Sequence, residues 1–171
     1  MAIEGWSGSA GDAEEGFWRA YALYSAGSWR EALTMLEELI GKEGVPAEAW
    51  WLRAGLMRGV HGDFDPRVLS AYDEALVHDP SNPYVRVERA DILRSLGRTE
   101  DARSEYEAVM AQIVESALRC EVAFKLGCVY LALDSPREAL AAFHTVLEHD
   151  PANAEVRQLC DRLSGELGLG D

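Results

Sequence analysis

Histidine, cysteine and carboxylate are the side chains of this chain that could do chemistry, and their spacing decides whether they can. His61, His78, His144 and His149 could ligate a metal or move protons, yet none has a His or Cys companion at metal-ligand spacing. His78 and His149 each open a His-Asp-Pro stretch, HDPSNP and HDPANA, that reads as a turn. Cys120, Cys128 and Cys160 form no CxxC, and the first two lie two turns apart on one expected helix, too far to bridge. They read as small apolar core residues. The acidic pairs Glu14-Glu15 and Glu37-Glu38 fall on helix faces expected to be solvated. Glycines near both ends follow no strand and precede no helix that could bind phosphate. No nucleophile, base and orienting group converge, so the chain is read as no enzyme, with no cofactor and no metal.

The elements that would carry these residues are marked by their turns. Gly27, Gly62 and Gly97 stand 35 residues apart, each opening a short turn between two helical stretches. A period of that size marks a helical repeat. The turn segments GSWREAL (27–33), GDFDPRVL (62–69), GRTEDAR (97–103) and DSPREAL (134–140) align as four copies. After each turn a small or branched residue is followed four positions later by a large one: Ala32/Leu36, Val68/Tyr72, Ala102/Tyr106 and Ala139/Phe143. That spacing puts both on one helix face. Leu39, Ala75, Val109 and Val146 add a third core position. Before each turn, Ala20/Leu23, Ala54/Met57, Ala90/Leu93 and Gly127/Tyr130 pair a small residue, which admits a neighbouring helix, with a large one that fills the space above it. Ser28 with Glu31 and Ser135 with Glu138 have capping-box spacing, and Pro66 and Pro136 suit a helix's first turn.

This pattern resembles the tetratricopeptide repeat, a unit of about 34 residues with the signature W-x2-L-G-x2-Y, then A-x3-F, then P. The matching residues are Leu126-Gly127-x2-Tyr130, Ala139-x3-Phe143 and Pro151 in the fourth repeat, with Trp50, Tyr72 and Pro80 in the second. Arg19, Arg53 and Arg89 depart from the usual leucine, the second turn carries about two extra residues, and the third repeat lacks its closing proline near Val114. The resemblance implies an all-α fold: a right-handed superhelical solenoid of about four helix-turn-helix repeats and a C-terminal capping helix. The expected repeats are 14–46, 47–82, 83–115 and 120–151, with the capping helix at 153–166. Residues 1–13 are expected to form a flexible acidic segment and Gly168–Asp171 a frayed tail.

In such proteins the first helix of each repeat lines a concave groove. The resemblance places Phe17, Tyr21 and Tyr24 there from the first repeat, and Trp51 and Arg58 from the second. Tyr84, Val87, Asp91 and Arg94 follow from the third, then Phe124 and Leu131 from the fourth. Aromatic residues and arginines dominate interface energetics. The implied function is therefore a protein–protein interaction module, an adaptor or scaffold, holding a peptide by apolar anchors with an acidic group at Arg58 and Arg94. A register shift of one residue would turn these aromatics inward. The lysine, asparagine and arginine clamp of chaperone-tail binders in the family is absent, since Phe17, Tyr21, Leu52, Tyr84 and Glu88 occupy its places.

The net charge of −14 opposes nucleic acid and anionic membrane and favours a basic or apolar partner. The N-terminus has no basic region followed by an apolar run, and no stretch approaches the ~18 apolar residues of a membrane helix, so the cytoplasm is expected. Two other readings stand beside the adaptor. One is a small acidic chaperone, similar in size and charge to those of bacterial secretion systems. The other is a self-associating repeat forming a homodimer, motivated by the apolar Ile3 and Trp6 in a polar segment.

Overall fold

The computed structural model describes residues 10–169. Every element among them is a helix: α1 (Ala10–Ser25), α2 (Trp29–Leu39), α3 (Ala47–His61), α4 (Pro66–His78), α5 (Pro83–Ser95), α6 (Thr99–Gln112), α7 (Ser116–Ala132), α8 (Pro136–His149) and α9 (Ala154–Glu166). They fall into two compact units, one ending at Val85 and the other beginning at Arg86.

In the first unit, α1 packs on α2, α2 on α3 and α3 on α4. The pairs read from the sequence form its core: Ala32, Leu36, Val68 and Tyr72 are all 0% exposed, as are Ala20 and Ala54. Small residues set the helix separation. A Cβ on Gly16 would lie 2.6 Å from Leu39 Cδ2, so the Leu39 side chain of α2 packs directly onto the bare backbone of α1 at that point. In the second unit, α6 packs on α7, α7 on α8 and α8 on α9. Ala90, Ala102, Tyr106, Ala139 and Phe143 are again fully buried. On α9, Val156, Cys160 and Leu163 join the cluster around Phe143 and Val146, covering the apolar face that α8 would otherwise expose.

The turns share one geometry with one exception. After α1, the N–H of Ser28 bonds the carbonyl of Leu23 and that of Gly27 bonds Tyr24, with Gly27 at φ 81°. This paired closure satisfies the last helix carbonyls and needs a left-handed residue. It recurs at Gly97, and again at Asp134, the sole non-glycine among the described residues with positive φ, at 54°. The second repeat differs: Gly62 has φ 84° and ψ 169°, a region open essentially to glycine alone. Its turn runs over residues 62–65, four residues against the three at 26–28.

Some local expectations are corrected. Neither Ser28 nor Ser135 caps its helix through the side chain; Ser135 Oγ instead donates to the Leu133 carbonyl, which lies behind it. Side-chain caps form instead at Asp65, accepting from the N–H of Arg67, at Asn82, accepting from Tyr84 and Val85, and at Asn153, accepting from Val156. Helix α1 already begins at Ala10 and buries Ala13, so the last residues of the expected flexible segment are helical. Ile3 and Trp6 lie outside the described residues. Helix α7 starts at Ser116, where no proline intervenes and Leu118 is buried, earlier than the expected residue 120. Burial pushes the thiols of Cys120, Cys128 and Cys160 up, away from the reactive thiolate. Among the described residues, no helix is long and apolar enough to cross a membrane.

Candidate binding surface

Helix α1 is oriented by its smallest residues. Ala13, Gly16 and Ala20 recur at three- and four-residue spacing and face the core, with Phe17 buried beside them. The far side, with Trp18 and Tyr21, therefore projects outward, and Tyr24 is exposed in the last turn of the helix. Trp18, Tyr21 and Tyr24 are 57%, 45% and 41% exposed. Their rings form a ladder, with centroids 6.0 Å apart for Trp18–Tyr21 and 5.9 Å for Tyr21–Tyr24. Phe17 supports it from below, 5.1 Å from Trp18 in an edge-to-face contact. Such contacts hold rings in place beyond what area burial provides.

A second aromatic pair lies in the same unit. Trp51, half-buried on α3, stacks on Tyr84 at the start of α5, with centroids 6.0 Å apart and planes 21° from parallel. Asn82 fixes that helix start by accepting from the N–H groups of Tyr84 and Val85. On the other side of α3, Trp50 stacks on His78 at 3.9 Å. Arg58 is engaged within the unit: its Nε donates to Asp63 Oδ1 at 2.7 Å and its Nη2 to Oδ2 at 3.2 Å. That fork ties α3 to the turn after it.

Two of the five expected groove residues of the second unit lie inside it. Val87 is 3% and Asp91 6% exposed. Asp91 accepts from the Tyr106 hydroxyl at 2.5 Å and from Lys125 Nζ at 2.6 Å, joining α5, α6 and α7. Burial, then this bond to Asp91, pushes the Tyr106 hydroxyl far above its ordinary pKa, so it stays a donor. A buried carboxylate held by both an ammonium and a hydroxyl is a structural joint. Phe124 is half-buried, with its ring 5.9 Å from that of Phe143; Leu131 is half-buried and Arg94 exposed. The structure thus brings together Tyr21 and Tyr24 on α1, and Trp51 with Tyr84, within one unit. Phe17, Val87 and Asp91 are buried in the packing.

Trp18 is not among the residues that the family resemblance places in the groove. The stripe of Ala13, Gly16 and Ala20 is the signal that finds it, since small residues at that spacing mark the buried face of α1 and set Trp18 opposite.

The tetratricopeptide repeat family model matches residues 19–64 and 69–116, more than half the chain. No curated protein matches it. Among solved structures, it is similar to PilF of Pseudomonas aeruginosa, with TM-score 0.71 and 19% identity, covering 90% of this chain and 68% of that one. It is also similar to MamA from Desulfovibrio magneticus RS-1, with TM-score 0.77 and 17% identity, covering 94% of this chain and 87% of that one. A third likeness is to a tetratricopeptide repeat protein from Parabacteroides merdae, with TM-score 0.76 and 22% identity, covering 91% of this chain and 60% of that one. At these identities the likeness is one of fold.

Proposed function

Because the chain belongs to the tetratricopeptide repeat family, we propose that it is a protein–protein interaction module whose first unit holds a peptide segment of its partner on an aromatic surface. The observation that carries this reading is the row of exposed rings on α1, the first helix of a repeat. Contiguous exposed aromatics cost solubility unless something covers them. They also supply rigid contact area at low entropic cost, which is why such residues anchor interfaces. The Trp51–Tyr84 stack adds a second platform in the same unit, held in place by Asn82. Arg58 drops out of the peptide-holding set, since Asp63 already occupies its guanidinium. The reading is therefore confined to Tyr21, Tyr24, Trp51 and Tyr84, with Trp18 added.

The test is a pull-down from source lysate with wild type against a Tyr24→Ala/Trp51→Ala variant, followed by reconstitution of each selectively lost partner from purified components. A purified partner whose Kd weakens at least about tenfold supports the surface. If every partner binds both forms equally in reconstitution, the aromatic surface of the first unit is not where binding occurs.

A further inference from the structure

The ring ladder on α1 carries an acid at its N-terminal end. Glu14 stands four residues before Trp18 and seven before Tyr21, spacing that puts all three on one helix face, and all three are exposed. Glu15 flanks the same face, and Arg19 is the one basic residue of α1. The surroundings are acidic as well. Between residues 10 and 85 there are thirteen acids against six bases. Three of those bases, Arg53, Arg58 and Arg67, are already paired with Glu74, Asp63 and Asp65. The rings of the ladder meet at steep angles, 78° for Trp18–Tyr21 and 52° for Tyr21–Tyr24, so neither pair is stacked face to face. Trp51 and Tyr84, nearly parallel, use their facing sides on each other.

Resting on the peptide-binding reading, we propose that the Glu14–Trp18–Tyr21–Tyr24 face recognises a basic segment of a partner protein. Its arginine or lysine side chains stack on the ring faces, whose quadrupole attracts a cation, and one of them pairs with Glu14. The charge of the unit steers such a segment towards the ladder and repels an acidic one. An apolar peptide would use the rings but gain nothing from the acids around them.

The experiment uses the full chain and a labelled peptide of about twelve residues repeating Arg-Gly-Leu, against the same peptide with citrulline for arginine, which keeps shape and removes charge. Fluorescence anisotropy is expected to show the arginine peptide binding at least about tenfold tighter. A Trp18→Ala/Tyr21→Ala variant should weaken the arginine peptide about 5- to 25-fold, for the loss of two cation–π contacts. That variant leaves net charge unchanged, so diffuse attraction cannot account for the loss. Phe64→Ala, which removes a 76% exposed ring elsewhere in the unit, should change nothing. Circular dichroism checks that both variants keep wild-type helicity. Equal binding of the arginine peptide to wild type and the ring variant overturns the proposal, as does no binding at millimolar peptide. Equal, ring-dependent binding of both peptides overturns the cation while leaving the peptide surface standing.

Discussion

Replacing Gly127 by alanine tests the helix packing most directly, because two effects of known size oppose each other there. Alanine in mid-helix is favoured over glycine by about 1 kcal/mol. Against this, a Cβ at position 127 would lie 2.5 Å from Phe143 Cε1 and 2.8 Å from both Cδ1 and Cζ. That is about 1 Å inside ordinary carbon contact. The ring is 0% exposed and lies near Phe124, so it cannot swing into solvent to make room. Overpacking of this kind costs about 1–3 kcal/mol, leaving a net loss of up to about 2 kcal/mol. Gly55 is the control: it is also mid-helix, is exposed, and has nothing within 4 Å of the added Cβ. Gly55→Ala should keep the whole helix gain of about 1 kcal/mol. The two single-methyl variants should therefore differ by about 2 kcal/mol, or roughly 4–8 °C in melting temperature. Thermal and urea unfolding followed by circular dichroism read this difference. Phe143→Leu in the Gly127→Ala background should cost less than in wild type, giving a coupling of about 0.5 kcal/mol or more. If Gly127→Ala is as stable as Gly55→Ala, α7 and α8 are not held at the separation argued above.

The Asp91 joint gives a second prediction: Lys125→Met should cost about 3 kcal/mol in urea unfolding, because it removes the ammonium from a buried carboxylate, whereas Glu121→Gln, at the exposed partner of Lys125, should stay within about 0.5 kcal/mol. Asp134→Gly should raise the melting temperature by about 2–4 °C, since glycine relieves the left-handed backbone at φ 54°. Tyr130 has its pKa pushed up from 10.0 to about 12, first by burial and then by its hydrogen bond to Glu107. The folded state thus keeps a proton that the unfolded state releases, so this contribution is whole below about pH 10 and is lost as pH rises through about 12. Unfolding midpoints of Tyr130→Phe should fall less steeply than wild type over that window, and an equal slope would show that the hydroxyl contributes none of it.

The core was legible because it repeats. Ala32/Leu36 alone could be coincidence, but the same pairing at 68/72, 102/106 and 139/143 leaves each helix one buried face, and all eight residues are fully buried. The capping boxes were not legible, because spacing states only which side chains could reach. At Ser28 and Ser135 the preceding turn has the paired closure, and the carbonyl geometry of that turn decides where the hydroxyl goes. Asp134 could be aligned with the turn glycines, but its left-handed backbone follows from the position and not from the residue type.

The surface resisted for a reason that lies in helix geometry. One residue along a helix is about 100° around it, so an error of a single position exchanges core and surface. Phe17 and Trp18 are neighbours of similar chemistry, and hydrophobicity ranks neither as the exposed one; one is 7% and the other 57% exposed. What separates them is the size of the residues around each. Ala13, Gly16 and Ala20 are small because another helix lies against them, and the ring on their side must be the one that packs. The same logic applied to α5 sets Val87 beside Ala90 and turns Asp91 inward, where an acid survives only because Tyr106 and Lys125 meet it. In these helices, then, small residues locate the exposed face more reliably than large ones, since they mark the face that a neighbouring helix covers.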